Sequence, residues 1–139
     1  MGIISTGNEI IGIDEKLTEG KIREVNSHLL SALCRSYGCE VKFFGTVKDE
    51  YDEILSAVKT ALSESDIVLI SGGSSAGTKD MTVKVIEAVG EVFAHGLAMK
   101  PGKPTIIGKA DGKGFFVKRF YNAFGKLEKF THLMVISFA

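Results

Sequence analysis

Hydrophobic positions along the chain fall into short continuous runs and longer stretches with helical spacing. The runs at residues 2–6 and 67–70 are typical of strands buried in a sheet, and residues 41–47, with Phe43 and Phe44, also predict a strand. After each run, at residues 21–37, 52–63 and from about 81 to 89, apolar side chains recur three or four positions apart, which predicts helices. Alternation of strand and helix predicts a three-layer α/β/α sandwich with a mostly parallel central sheet.

The apolar stripes indicate which face of each predicted helix lies on the sheet. The first helix is expected to bury Ile22, Val25, Leu29, Leu30 and Leu33, and the second Ile54, Leu55, Val58 and Leu62. Gly38 follows the first helix and Gly90 the third, where glycine commonly ends a helix.

The last part of the pattern predicts strands without intervening helices. Residues 91–97 read as one strand, and residues 105–109 and 114–117 flank Asp111 and Gly112, a strong hairpin signal. We therefore expect antiparallel strands near one edge of the sheet.

A loop of small residues, from Ser71 to Asp80, follows the most apolar strand. Its glycines permit positive φ and close approach of a ligand, and a helix N-terminus behind them favours an anion such as phosphate. Asp80 is placed to cap that helix. The spacing matches neither a Walker A motif nor a dinucleotide fingerprint, so a tight turn that binds nothing remains the alternative.

Two acidic residues follow the other predicted strands, Glu9 after the first and Asp49 after the second. Ligands of open α/β sheets bind beyond the carboxyl ends of the strands, so both are candidate site carboxylates. Glu9 is equally compatible with a solvated loop, and Asp49 with either a helix cap or a metal ligand. Asn26 lies off the apolar stripe and either faces a ligand or is simply exposed.

A second candidate loop combines two lysines with two prolines, at residues 100–104. Proline fixes φ, so Lys100 and Lys103 would be held on a stiff scaffold. Two ammonium groups suit an anionic ligand, while a solvated turn is the alternative.

Composition narrows the classes of partner. The chain has 139 residues, with 17 Lys and Arg against 17 Asp and Glu, so it lacks the basic footprint expected for nucleic acid or an anionic membrane. No apolar run is long enough to cross a bilayer. The two cysteines, Cys34 and Cys39, have no metal-binding spacing and no secretory signal precedes them, which predicts reduced thiols and a cytoplasmic location.

Taken in order, these motifs resemble the molybdopterin-binding domain of the MoeA/gephyrin-type molybdenum insertion enzymes. The segments that carry the resemblance are residues 5–9, 20–27, 45–50, 71–80 and 100–104. Stand-alone adenylyltransferases of the MogA/MoaB type share the Gly-Gly loop, but the Lys-Pro-Gly-Lys-Pro loop is more similar to the insertion enzymes.

The resemblance implies a function in molybdenum cofactor biosynthesis. The family binds molybdopterin, in adenylated form, and inserts molybdate into its dithiolene with a divalent cation, expected to be Mg²⁺. The implied catalytic residues are Glu9, Asp49 and Asp80, of which Glu9 and Asp49 would hold the metal. The implied substrate-binding residues are Thr6, Gly7, Asn26, Ser71, Gly72, Gly73, Ser74, Ser75, Gly77, Lys100, Pro101, Gly102 and Lys103.

Two departures from the family pattern bear on activity. Insertion enzymes carry further domains, and part of their site comes from the partner subunit, so we expect a homo-oligomer, a dimer or trimer, in which this domain is incomplete alone. Residues 1–117 form the expected domain. Residues 118–139 lack the family's Leu-Pro-Gly-Asn-Pro loop and resemble a frameshifted or truncated tail. Adenylylation of molybdopterin, a non-catalytic binding or oligomerisation module, and a competence/damage-inducible domain remain the alternatives.

Overall fold

The computed structural model describes residues 1–72, 76–96, 105–110 and 113–118, with backbone alone at 76–80 and 113–118. The strands are β1 (Gly2–Thr6), β2 (Ile10–Ile11), β3 (Ile22–Arg23), β4 (Lys42–Val47), β5 (Ile67–Ser71), β6 (Glu91–His95), β7 (Ile106–Ala110) and β8 (Lys113–Lys118). The helices are α1 (Asn26–Ser36), α2 (Tyr51–Glu64) and α3 (Ala76–Val89). None of the described helices is long and apolar enough to span a bilayer.

Six strands form one sheet in the order β4-β1-β5-β8-β7-β6. The pairs β1–β4, β1–β5 and β5–β8 are parallel, and β7 is antiparallel to both of its neighbours. The predicted mostly parallel α/β fold is therefore confirmed. The hairpin of β7 and β8 does more than extend an edge, because β8 returns between β7 and β5 and lies inside the sheet.

Side-chain alternation along β1 and β5 separates two cores. Ile3 and Leu69 pack with Leu30, Leu33 and Cys34 of α1 on one face. On the other face, Ile4, Val68 and Ile70 pack with side chains of α2 and α3, among them Ile54, Val58 and Ile86. Because successive strand residues point to opposite faces, two fully buried strands need a helical layer on each side.

The prediction for the first helix was wrong at its start. Residues 21–25 are not helical, and α1 begins at Asn26. Ile22, Val25 and Leu29 are 60%, 52% and 41% exposed, whereas Leu30, Leu33 and Cys34 are buried. The helical spacing of Ile22 and Val25 was misleading because Ile22 lies in β3, which pairs in parallel with β2 in a separate two-stranded sheet.

The second helix agrees closely with its predicted stripe. Ile54 and Val58 are fully buried, and Leu55 and Leu62 pack against the same core. Gly38 takes a positive φ of 77° after α1, and its N–H donates to the carbonyl of Arg35 at 2.9 Å. The predicted glycine-terminated helix end is confirmed at this position.

Candidate functional site

The strand order reverses direction at β1, which is where an open α/β sheet forms a ligand crevice. From β1 the chain passes through α1 to β4 on one side, and then through α2 to β5 on the other side of β1. The two crossover connections pack on opposite faces of the sheet. Neither connection therefore covers the carboxyl ends of both β1 and β5. Ligands of such folds bind at this switch point.

Gly72 and Thr6 form the closest backbone approach across this crevice. Gly72 follows β5 with a φ of 137°, and a Cβ on it would lie 2.0 Å from the Thr6 carbonyl oxygen and 2.5 Å from Thr6 Oγ1. No side chain fits at that position, so glycine is required there for packing as well as for backbone conformation. The predicted close approach was to a ligand, whereas the structure places Thr6 against this face of Gly72.

The Thr6 side chain places a buried hydroxyl at the carboxyl edge. Thr6 is only 1% exposed, and its Oγ1 has no hydrogen-bond partner among the described residues. A buried hydroxyl without a partner costs roughly 1–3 kcal/mol, so such groups in native proteins usually meet a ligand or an ordered water. The hydroxyl lies beside Gly72 at the carboxyl edge, where a bound molecule could satisfy it.

Asn26, left open in the sequence analysis, faces the crevice. It is the first residue of α1 and half-buried, and its Nδ2 donates to Ser71 Oγ at 3.0 Å. Ser71 is the last residue of β5 and pairs in register with Ser5 of β1. The contact therefore joins α1 to the end of β5, next to Gly72.

Sequence reasoning missed Glu24, the most buried carboxylate among the described residues at 5% exposure. Its Oε1 accepts from Ser5 Oγ at 2.9 Å and from the Ser27 N–H at 2.8 Å, and its Oε2 accepts from Ser27 Oγ. The available signal was its place two residues before the start of α1, where a carboxylate can accept from free N–H groups.

The loops after β1 and β4 meet at the same edge. Asn8 Oδ1 accepts the N–H of Asp49 at 3.1 Å, and the Gly7 N–H donates to the Val47 carbonyl at 3.2 Å. Lys21 Nζ donates to the Asn8 carbonyl at 2.7 Å. Glu9 follows Asn8 directly, so both predicted site acids stand on neighbouring loops at one edge of the sheet.

Two predicted caps are corrected by the helix boundaries. Asp49 does not cap α2, because Glu50 is the N-cap residue and makes no side-chain cap hydrogen bond. Asp80 does not cap α3, because that helix begins at Ala76 and Asp80 lies inside it. The helix starts earlier than its apolar spacing indicated, because Ala76 and Gly77 carry no side chain of the periodic apolar stripe. Gly77 is helical and is not part of the loop.

Several predicted binding residues lie outside the described residues. They are Gly73, Ser74, Ser75, Lys100, Pro101, Gly102 and Lys103. Of the predicted binding residues at the carboxyl edge, the structure describes Thr6, Gly7, Asn26, Ser71 and Gly72.

The donor set at this edge fits a hard divalent cation only in part. In the described ranges, no cluster of three or more carboxylate, imidazole or thiol side chains could hold an ion. Two carboxylates on adjacent loops, Glu9 and Asp49, are compatible with Mg²⁺, which keeps several waters and takes its remaining oxygens from a phosphate substrate.

The fold is an open α/β domain with a topological switch point at β1. The chain belongs to the family described as "Probable molybdopterin binding domain", whose model matches residues 2–121. The resemblance inferred from the sequence motifs is thereby confirmed.

Relatives and solved structures agree with this membership. The chain is 39% identical over 128 residues to a protein of Methanocaldococcus jannaschii named for molybdopterin biosynthesis, covering 86% of this chain and 32% of that one. It is 38% identical over 117 residues to a Staphylococcus aureus molybdopterin molybdenumtransferase, covering 84% and 28%. A molybdopterin biosynthesis MoeA protein of Pyrococcus horikosii superposes with a TM-score of 0.85 at 39% identity, covering 96% and 33%. The chain thus spans about a third or less of these proteins' lengths.

Proposed function

We propose that this chain serves molybdenum cofactor biosynthesis as the domain that binds molybdopterin, or its adenylate, for insertion of molybdate into the dithiolene. The S. aureus relative is named for this transfer, and the match covers most of the chain. The observation that carries the proposal is the Thr6 hydroxyl, which is buried at the carboxyl edge beside Gly72 and lacks a partner among the described residues.

The described residues suit the anionic part of such a ligand. The Thr6 hydroxyl can donate to an acceptor in the crevice, and Asn26 and Ser71 form its polar wall on the α1 side. α3 begins at Ala76, close in sequence to Gly72, so the first N–H groups of a helix are available for a phosphate. Residues 73–75 and the two lysines at 100 and 103 are proposed to complete this binding surface.

For catalysis we propose that Glu9 and Asp49 hold Mg²⁺ and that Asp80 contributes a third carboxylate. The ion would supply charge neutralisation at the scissile phosphate and orientation of a water. Asn8 Oδ1 accepts the N–H of Asp49, and this hydrogen bond ties the loop that carries Asp49 to the loop that carries Glu9. Molybdate would be a substrate of the reaction. A homo-oligomer is proposed to complete the site.

The proposal is tested by anaerobic calorimetric titration of the protein with molybdopterin and with its adenylate. Wild type should bind both, and Thr6→Val should weaken binding about tenfold, because an isosteric methyl cannot donate a hydrogen bond. The same change should leave the free energy of unfolding equal or higher, since it removes a buried polar group without a partner.

The matched control is Thr46→Val, because Thr46 is exposed on the neighbouring strand β4. It should change neither affinity nor stability by a measurable amount. Absence of binding by wild type would contradict the proposed ligand, and equal affinity of wild type and Thr6→Val would contradict the crevice. Consumption of ATP with Mg²⁺ and molybdopterin would favour adenylylation over insertion.

A further inference from the structure

The buried carboxylate of Glu24 is not explained by ligand contact. It accepts hydrogen bonds from Ser5 Oγ, from the Ser27 N–H and from Ser27 Oγ. Both carboxylate oxygens accept in these three hydrogen bonds. Burial of such a group is costly unless it is fully hydrogen-bonded, so this arrangement must hold its partners closely in place.

The three partners belong to the two elements that border the crevice. Ser5 directly precedes Thr6 in β1, and Ser27 directly follows Asn26 in α1. A single carboxylate therefore ties the start of α1 to the end of β1, one residue away from each of two candidate ligand contacts.

The same network closes through β5. Ser5 pairs in register with Ser71, and Ser71 Oγ accepts from Asn26 Nδ2 at 3.0 Å. Asn26 is thus held from two sides, by the Glu24 contacts to the next residue and by its own hydrogen bond across the switch point. Movement of the first turn of α1 would break both.

We propose that Glu24 is a positioning residue that fixes Asn26 and the end of β1 in their ligand-binding arrangement. It acts through Ser5 and Ser27 and does not itself touch the ligand. The proposal rests on the proposed function for its affinity measurement, and it also has a structural readout that requires no ligand.

The purely structural alternative is that Glu24 only satisfies the Ser27 N–H at the start of α1. Val25, the N-cap residue, makes no side-chain cap hydrogen bond, so such a role is chemically reasonable. A cap alone would change the stability of α1, but it would leave the affinity of the folded protein unaltered and would not depend on Asn26.

The experiment compares Glu24→Gln, Asn26→Ala and the double variant. Glu24→Gln preserves shape but replaces one acceptor by a donor. We expect it to weaken binding of molybdopterin adenylate about tenfold, and to add less than twofold when Asn26 is already alanine. In ¹H–¹⁵N spectra without ligand, the Asn26 side-chain amide resonances should shift or broaden in Glu24→Gln.

Glu64→Gln is the matched control, because Glu64 is an exposed carboxylate at the opposite edge of the sheet. It should leave both affinity and the Asn26 resonances unchanged. The proposal is overturned if folded Glu24→Gln binds within twofold of wild type, or if the two single effects multiply in the double variant.

Failure of the proposed function gives a different result. If wild type does not bind the adenylate, the Asn26 resonances still decide the positioning role. Unchanged Asn26 signals in Glu24→Gln would overturn it, and shifted signals would support it even though the ligand had been wrongly identified.

Discussion

The two edges of the central sheet differ in how they treat polar groups. At the carboxyl edge, Ser5, Thr6, Glu24, Ser27 and Ser71 are all buried. At the amino edge, the charged groups Glu40, Lys42, Glu64 and Asp66 are exposed, and Lys42 pairs with Glu64 at the surface. The same parallel strands thus end in a buried polar network on one side and a solvated one on the other.

The comparison shows at which edge of the sheet the burial of polar groups costs free energy. Exposed charges at the amino edge stay hydrated and demand no precise partners. Buried groups at the carboxyl edge require partners, and the Thr6 hydroxyl has none among the described residues. A cavity does exist at the amino edge, lined by residues that include Met1, Cys39 and Lys42, but its polar groups do not need a ligand. A buried hydroxyl without a partner therefore indicates the candidate site better than the presence of a cavity does.

The largest expected effect is that of Gly72→Ala at the carboxyl edge, and the same substitution at Gly38 tests the amino edge. Gly72→Ala should lower the free energy of unfolding by ~3–5 kcal/mol, because its Cβ would lie 2.0 Å from the Thr6 carbonyl oxygen at a φ of 137°. Gly38→Ala should cost only about 1 kcal/mol, since Gly38 also has positive φ but nothing lies within 4 Å of its Cβ position. Urea unfolding measures both, and equal losses would contradict the difference between the edges.

A smaller effect is expected from the buried thiol of Cys34 in the core beneath α1. Burial, with a further contribution from the charge of Cys39, raises the pKa of Cys34 from 9.0 to about 11. The thiol donates to Met1 Sδ at 3.0 Å. Between these pH values the folded state binds more protons than the unfolded chain, so stability falls as pH rises.

The stability that Cys34 contributes is therefore complete below pH 9 and is lost as the pH approaches 11. Unfolding of wild type and Cys34→Ala at several pH values isolates this group from the lysines and tyrosines. The difference between the two proteins should shrink by about 1–2 kcal/mol across the window. A constant difference would show that folding does not raise the pKa of the Cys34 thiol.

The smallest effect is expected at the Lys42–Glu64 pair. The two side chains are 58% and 44% exposed, so Glu64→Gln should change the free energy of unfolding by less than about 0.5 kcal/mol. Added salt should remove even that difference. A loss above roughly 1 kcal/mol would mean that the amino edge also depends on specific polar contacts, contrary to the comparison.

Local sequence was a sound guide wherever one short segment specifies its own partners. The apolar runs of β1 and β5 are buried on both faces, whereas β4 is an edge strand whose residues are half-buried or exposed. The stripe of α2 matched the core. The candidate acids Glu9 and Asp49 follow from one rule, that ligands of open α/β sheets bind beyond the carboxyl ends of the strands. Family membership rested on motif order, which is likewise a property of the sequence.

Local sequence failed where a segment is held by distant contacts. Ile22 and Val25 have helical spacing with Leu29, but pairing of β3 with β2 takes Ile22 out of α1 and leaves all three side chains exposed. The start of α3 was placed too late because that helix begins with small and polar residues, which the apolar pattern does not register.

The amino-acid sequence by itself determined the α/β class, the parallel strands and the edge at which a ligand would bind, because apolar spacing and chain order are local properties. Only the tertiary structure decided which side chains meet there. Ser5 and Glu24 lie 19 positions apart, and Asn26 and Ser71 lie 45 apart. Hydrogen bonds over such separations depend on strand register and helix placement, which no single segment encodes.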